Sequence, residues 1–241
     1  MKIFYSENTV DYSSYTFNYA IYCMKETQEE LPAIYDKGFL PYTGNILLEK
    51  ELFYLARSLR VDLDRFEDSS ENRRVGRKIA ELDIQLEVIS KEDFDIENAT
   101  FVKFCAAYAA DRFSGGAMPE DRLRYVLKSN IATHLVHFYN EQQTMGYVLA
   151  CMVGGTLHYW YAFFDTAYMK SHSLGKWMMW RTIRWAKDEG LQHVYLGTCY
   201  GHHSLYKVRD HKGLAFFDGS GWNQDAKLLK QLCKTDAEGL D

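Results

Sequence analysis

Two stretches of this chain concentrate the residue types that do chemistry on charged groups. Lys170-Ser171-His172-Ser173-Leu174-Gly175 brings a cation, two hydroxyls, an imidazole and a glycine together just ahead of an apolar, tryptophan-rich run. Free N–H groups at the start of a helix there would form a site for negative charge, and a glycine lets backbone approach a bound anion closely. The second stretch, SSENRRVGRK, puts Arg73, Arg74, Arg77 and Lys78 within six residues, with Glu71 and Glu81 as the nearby counter-charges. On one or two helical turns these cations form either a phosphate-binding patch or an ordinary solvated helix face. His202, His203 and His211 with Cys199 offer zinc-ligand types, but their spacing matches none of the common patterns, and no metal is expected.

The elements that must position these groups follow from periodicity. Leu174, Trp177, Met178, Arg181 and Trp185 recur at spacings of three and four, which predicts an amphipathic helix. Ser173 or Ser171 is expected to cap it and Gly190 to stop it. His193 to Leu196 then reads as a buried strand, in a parallel pairing if the helix is a crossover. Upstream, Ser69 or Ser70 caps the basic helix, and Ile84 to Ile89 alternates as a strand. Thr100–Phe113 and Pro119–Ser129 read as helices, and Ala132–Tyr139, Met145–Val153 and Leu157–Phe163 as a meander. A short helix or turn and a last strand around Leu214 to Phe217 complete the domain. The tail from Asp225 to Asp241 reads as an exposed helix with a frayed end.

Residues 1 to about 70 read as a small, irregular unit. It has two short alternating segments (Leu52–Leu55 and Arg60–Leu63), and GFLPYTGN makes two turns around Pro41. Its tyrosines (Tyr12, Tyr15, Tyr19 and Tyr22, with Phe17) are either ordinary packing or a base-stacking platform. The expected division is 1–72 for this unit and 73–241 for the main domain.

Bulk properties set the bounds. A chain of 241 residues, nearly half hydrophobic, can bury a sizeable core without staples. The net charge of −5 argues against indiscriminate nucleic-acid binding, DNA included, but leaves room for a local basic patch. Five dispersed cysteines fit a reducing compartment, no apolar run is long enough to span a membrane, and the first residues lack a signal-peptide core. Together these predict a cytoplasmic protein.

The order of elements (two helices, three strands, a capped helix, a buried strand, a short helix, a last strand) resembles the GNAT acyltransferase superfamily. The implied fold is α/β (α+β), a mixed sheet flanked by helices. That superfamily's phosphate turn reads Arg or Gln, two residues, Gly, one residue, Gly or Ala; here Lys170 and Gly175 keep two positions and Ser173 replaces the first glycine. A narrower resemblance is to the arginyl-tRNA–protein transferases and their leucyl-transferring bacterial relatives. It rests on HSLGKWMMWRTIRWAKDEGLQHVYLG, on IYDKGFLPYTG, which is similar to their GFRRSG turn, and on LRVDLDRFEDSSENRRVGRK, which is similar to their QRRV segment. Their N-terminal cysteine cluster is missing, since Cys23 is the lone cysteine of that region. Their KMRYKG segment survives only loosely, as SLYKVRDHKG.

The resemblance implies an acyltransferase in which a protein or peptide N-terminal amine attacks the 3′ ester of an aminoacyl-tRNA, as in N-degron tagging. Aminoacyl-tRNA is then the co-substrate and no cofactor is needed. Tyr206, after the SL of an SLY turn, stands where related acyltransferases place a tyrosine acid, and His172 is a second catalytic candidate. Lys170, Ser173, Leu174, Gly175 and Lys176 would receive the terminal phosphates, and Tyr195, Gly197 and Thr198 would hold the acyl carbonyl. Arg73, Arg74, Arg77, Lys78, Lys207 and Lys212 would meet the tRNA backbone. The rival implications are an acetyl-CoA-dependent N-acetyltransferase and a non-catalytic GNAT-like binding module.

Overall fold

The computed structural model describes residues 1–11, 16–48, 50–113 and 116–238. In chain order its elements are β1 (Lys2–Asp11), β2 (Thr16–Met24), α1 (Leu31–Asp36), β3 (Phe39–Pro41), β4 (Leu52–Leu55), β5 (Ser58–Asp62), α2 (Ser70–Ile79), β6 (Gln85–Ser90), α3 (Ala99–Arg112) and α4 (Glu120–Lys128). They continue with β7 (His134–Tyr139), β8 (Thr144–Val153), β9 (Thr156–Phe164), α5 (Ala167–His172), α6 (Leu174–Asp188), β10 (His193–Thr198), α7 (Leu205–Asp210), β11 (Leu214–Phe217), β12 (Trp222–Asn223) and α8 (Ala226–Glu238). The chain forms two compact units, one of Met1–Arg60, Gly197–Leu205 and Ala215–Asp241, the other of Val61–Leu196 and Tyr206–Leu214.

In the first unit, the segment expected to be irregular is an antiparallel sheet in the order β1-β2-β4-β3. GFLPYTGN is not a pair of turns, because Phe39, Leu40 and Pro41 pair with Leu55, Tyr54 and Phe53. β3 lies at the sheet edge, where a proline's missing N–H costs no ladder bond. Tyr35 packs edge-on against Phe53, both fully buried. Tyr22 stacks with Phe4 and meets Tyr42 edge-on, while Tyr19 is exposed. Tyr12 and Tyr15 lie outside the described residues. The tail helix α8 is not wholly exposed, since Leu229 and Cys233 are buried. Their i, i+4 spacing puts both on one helix face.

In the second unit, strands pair in the order β10-β9-β8-β7-β6, parallel between β10 and β9 and antiparallel elsewhere. This is the mixed sheet flanked by helices that the element order predicts. β8 is buried from Met145 through Cys151, as a strand covered on both faces must be. Alternation assigns the faces. Leu135, Tyr147, Leu149 and Phe163 pack with Phe101, Cys105, Leu123 and Val126 of α3 and α4. On the other face, Phe138 meets Trp177 of α6 edge-on, and a Cβ on Gly146 would stand 2.6 Å from Met178.

α6 is buried beyond the single stripe that the spacing predicts: Met179, Trp180, Thr182, Ile183 and Ala186 join Leu174, Trp177 and Met178. α2 packs against it, and so occupies a second face. All five cysteines are buried free thiols, packed as small hydrophobes. Among the described residues, no helix is long and apolar enough to cross a membrane.

Candidate acyl-transfer site

The start of α6 is built differently from the expected serine cap. Ser173 ends α5 and begins α6, with φ 58° and ψ 40°, and its side chain makes no capping bond. Its backbone does the work, as the Ser173 carbonyl accepts from the N–H groups of Lys176 (3.0 Å) and Trp177 (3.1 Å). In the left-handed region the hydroxyl is carried away from the first turn. The same conformation is the one glycine adopts most readily, so the departure from the glycine pattern changes the side chain and keeps the backbone shape. Ser171 does not cap either, its hydroxyl donating back to the Ala167 carbonyl at 3.3 Å. Two residues on, a Cβ at Gly175 would stand 2.6 Å from the Phe164 ring, so that ring is what the glycine accommodates.

Beside this mouth the sheet opens. β9 and β10 pair from His193↔Thr156 to Tyr195↔His158 and no further. β9 then bulges, since Ala150 opposes Tyr159 but Leu149 opposes Tyr161, leaving Trp160 as the extra residue. The Leu196 carbonyl, past the last paired residue, accepts from Lys207 Nζ at 2.7 Å. Tyr159, at the bulge, buries a hydroxyl that has no hydrogen-bond partner among the described residues, and burial pushes its pKa well above the ordinary tyrosine value.

Beyond the first turn of α6, Lys176 and Trp180 line a niche with Glu71, Asn72, Val75, Tyr206, Asp210 and His211. Its free space, about 10 Å3, holds one water-sized body. Lys176 Nζ lies 3.1 Å from Asp210, 3.7 Å from Glu71 and 5.8 Å from the centre of the Tyr206 ring. Two hydrogen bonds from Arg74 hold the Glu71 carboxyl down at about 2. His211 is buried, its Nδ1 has no hydrogen-bond partner among the described residues, and burial lowers its pKa to about 4, so it is neutral at physiological pH. In the sequence His211 stands out only as a zinc-type ligand. What reveals it is the Asp68↔His211 bridge, which no local spacing announces.

The structure thus gathers Ser173, Leu174, Gly175, Lys176, Tyr195 and Tyr206 in one unit and places Gly197 and Thr198 in the other. Lys170 is exposed on α5. Both ring nitrogens of His172 are engaged, with Ser171 Oγ at 2.8 Å and Glu81 at 3.1 Å. Among the basic candidates, Ser69 caps α2 as expected, accepting from the Asn72 N–H. Arg74 is held by Glu71, Lys78 by the Ser171 carbonyl, Lys207 by Leu196 and Lys212 by Glu67. Among the described residues, no three His, Cys, Asp or Glu side chains converge as metal ligands.

A GNAT acetyltransferase-domain model matches residues 69–208, more than half of the chain. The chain belongs to the GNAT acetyltransferase-domain family. Its curated relatives include two aspartate/glutamate leucyltransferases from Stenotrophomonas maltophilia. That of strain K279a is 26% identical over 178 residues, 69% of this chain and 68% of the relative. That of strain R551-3 is 24% identical over 177 residues, with the same coverage. Among solved structures, the L-PGS of Bacillus licheniformis aligns with a TM-score of 0.49 at 12% identity, over 87% of this chain and 70% of that one. This GNAT protein is an acyltransferase, and its similarity to leucyltransferases agrees with the resemblance carried by the SLG helix and the QRRV-like segment.

Proposed function

We propose that this GNAT protein is an aminoacyl-tRNA–protein transferase, joining an aminoacyl group to the N-terminal amine of a protein or peptide. The observation that carries the reading is the similarity to leucyltransferases over about two thirds of both chains. In the reaction the amine nitrogen attacks the ester carbonyl, the C–N bond forms, and the bond to the tRNA 3′ oxygen breaks. The amine loses a proton and the 3′ oxygen gains one. Because the ester is already activated, positioning and oxyanion stabilisation supply most of the rate.

The niche supports these roles. Tyr206 is the proton donor to the leaving oxygen, with Lys176 above its ring favouring partial negative charge on the phenol. Neutral His211, in the same niche, is suited to take the amine proton through a water of the size the niche holds. The backbone of β10 at Tyr195 and Leu196, where the pairing with β9 ends, is the place for the acyl carbonyl. Dependence on charged tRNA would make the activity cytoplasmic.

The test is transfer from a mixed pool of radiolabelled aminoacyl-tRNAs to peptides with acidic, basic or neutral first residues. Label in peptide that survives base hydrolysis of the ester is the expected result. No transfer, together with thermal stabilisation by acetyl-CoA, would replace this reading with an acetyl-CoA-dependent one.

A further inference from the structure

Most cations that the sequence offers to a nucleic acid are already engaged, as Arg73, Arg74, Lys78, Lys207 and Lys212 each donate to a carboxylate or carbonyl of the same unit. Arg77 is the exception: it is exposed and makes no hydrogen bond or ion pair among the described residues. It lines a cleft of about 540 Å3 between α2 and α6, together with Arg73, Arg181, Arg184, Trp177 and Trp180. Gly76 lets the two helices close up, since a Cβ there would come within 3.1 Å of the Trp180 ring.

Two features mark the cleft as a place for anions. First, four arginines line it against two carboxylates, Asp68 and Asp83. Asp68 is taken, by Arg184 at 3.2 Å and by the Trp180 indole N–H at 2.7 Å. Second, Arg181 is half-buried with its guanidinium 5.9 Å from the centre of the Trp177 ring, and among the described residues no carboxylate lies in bonding distance. Burial, with Arg184 close by, lowers its pKa from the ordinary arginine value, a cost that a bound anion would offset. Arg73 and Arg77 stand one turn apart on α2, and Arg181 and Arg184 one turn apart on α6, so charge is presented along a track. A guanidinium matches a phosphate bidentately, and repeated phosphates match a track. Trp177 and Trp180 are nearly buried and offer no open ring face, so the cleft reads backbone and not bases.

We infer that the α2/α6 cleft seats consecutive phosphates of the tRNA backbone, with Arg77 and Arg181 as the phosphate ligands and Arg73 and Arg184 beside them. This rests on the reading of charged tRNA as the acyl donor, and it adds a docking track, including Arg181 and Arg184, that the basic run of α2 does not reveal.

The test measures binding of an aminoacyl-tRNA to the full chain across a salt series. Removing one phosphate-binding cation lowers the slope of log K against log salt by about 0.9 and weakens binding evenly across tRNA species. Arg77→Gln and Arg181→Gln are each expected to show that change, and Arg124→Gln, at an arginine on α4 paired with Glu120, is expected to show none. Arg77 is exposed, so its variant carries the test even if Arg181→Gln fails to fold. Binding with a slope unchanged in Arg77→Gln, or weaker affinity for a polyglutamate peptide but not for tRNA, would overturn the cleft assignment and leave the donor reading standing. No binding of any charged tRNA at low salt would overturn both.

Discussion

The niche at Lys176 and the cleft at Arg181 share α2 and α6, yet they treat charge in opposite ways. In the niche, Lys176 is set between Asp210 and Glu71, and Arg74 closes the circuit on Glu71. In the cleft, Arg77 and Arg181 lack carboxylate partners among the described residues, while Asp68 is neutralised by Arg184. A saturated network fixes geometry, because each member loses a partner if another moves. An unsaturated one retains the capacity to bind. The contrast teaches that basic residues must be counted after their internal bonds: of the four cations in the RRVGRK run, Arg73, Arg74 and Lys78 each donate within the fold, and Arg77 does not among the described residues.

Removing a member of the saturated network should have the largest effect. Lys176→Ala leaves Asp210, whose side chain is only 4% exposed, with Arg209 at 2.6 Å as its remaining cation, and it is expected to destabilise the protein by about 2 kcal/mol in urea unfolding. Adding Asp210→Asn should restore part of that. If Lys176→Ala unfolds at the wild-type midpoint, the niche is not a coupled unit.

Gly175→Val should follow closely, at about 2 kcal/mol, because its side chain meets the Phe164 ring. Pairing it with Phe164→Ala separates the causes. Stability recovered with activity still low would show that the backbone at Gly175 must also be approached by substrate.

The buried imidazole gives the pH prediction. In the folded chain His211 titrates near 4, against 6.5 unperturbed, so between those values the unfolded chain binds a proton that the folded chain does not. Stability should therefore fall as pH drops through that window. His158, buried and lowered to about 3, acts in the same direction. His211→Asn should flatten the profile and the double variant His158→Asn/His211→Asn should flatten it further, as followed by urea unfolding at stepped pH. Ser173→Gly should have the smallest effect, a stabilisation below about 1 kcal/mol in Tm measurements, since glycine holds that left-handed backbone without cost.

The second unit was largely legible in the sequence, because its apolar periodicities are long and its breakers clear. SGGAMP separates α3 from α4, EQQ turns β7 into β8, and Gly190 ends α6. The first unit was not. Its three-residue edge strand carries a proline, and turn chemistry overrode strand alternation in the reading of GFLPYTGN. At the candidate site, position was legible and bonding was not. KSHSLGK marks the helix start, but nothing local says that Ser173 is left-handed, that Glu71 reaches Lys176, or that Arg181 joins Arg77 across two helices. Those facts arise from the packing of α2 on α6, two helices widely separated along the chain.

The extra residue in β9 has a consequence for parity. Ahead of Trp160 the odd-numbered side chains oppose the even ones of β8, on the α6 layer; behind it, Tyr161 and Phe163 share the α3/α4 layer with Leu149 and Tyr147. One strand thereby changes its phase midway and sends neighbouring aromatics to opposite layers. Deleting the single residue Trp160 would make Tyr159 and Tyr161 immediate neighbours opposite Ala150 and Leu149, so ordinary alternation would keep both on their layers and only the bulge itself would be lost.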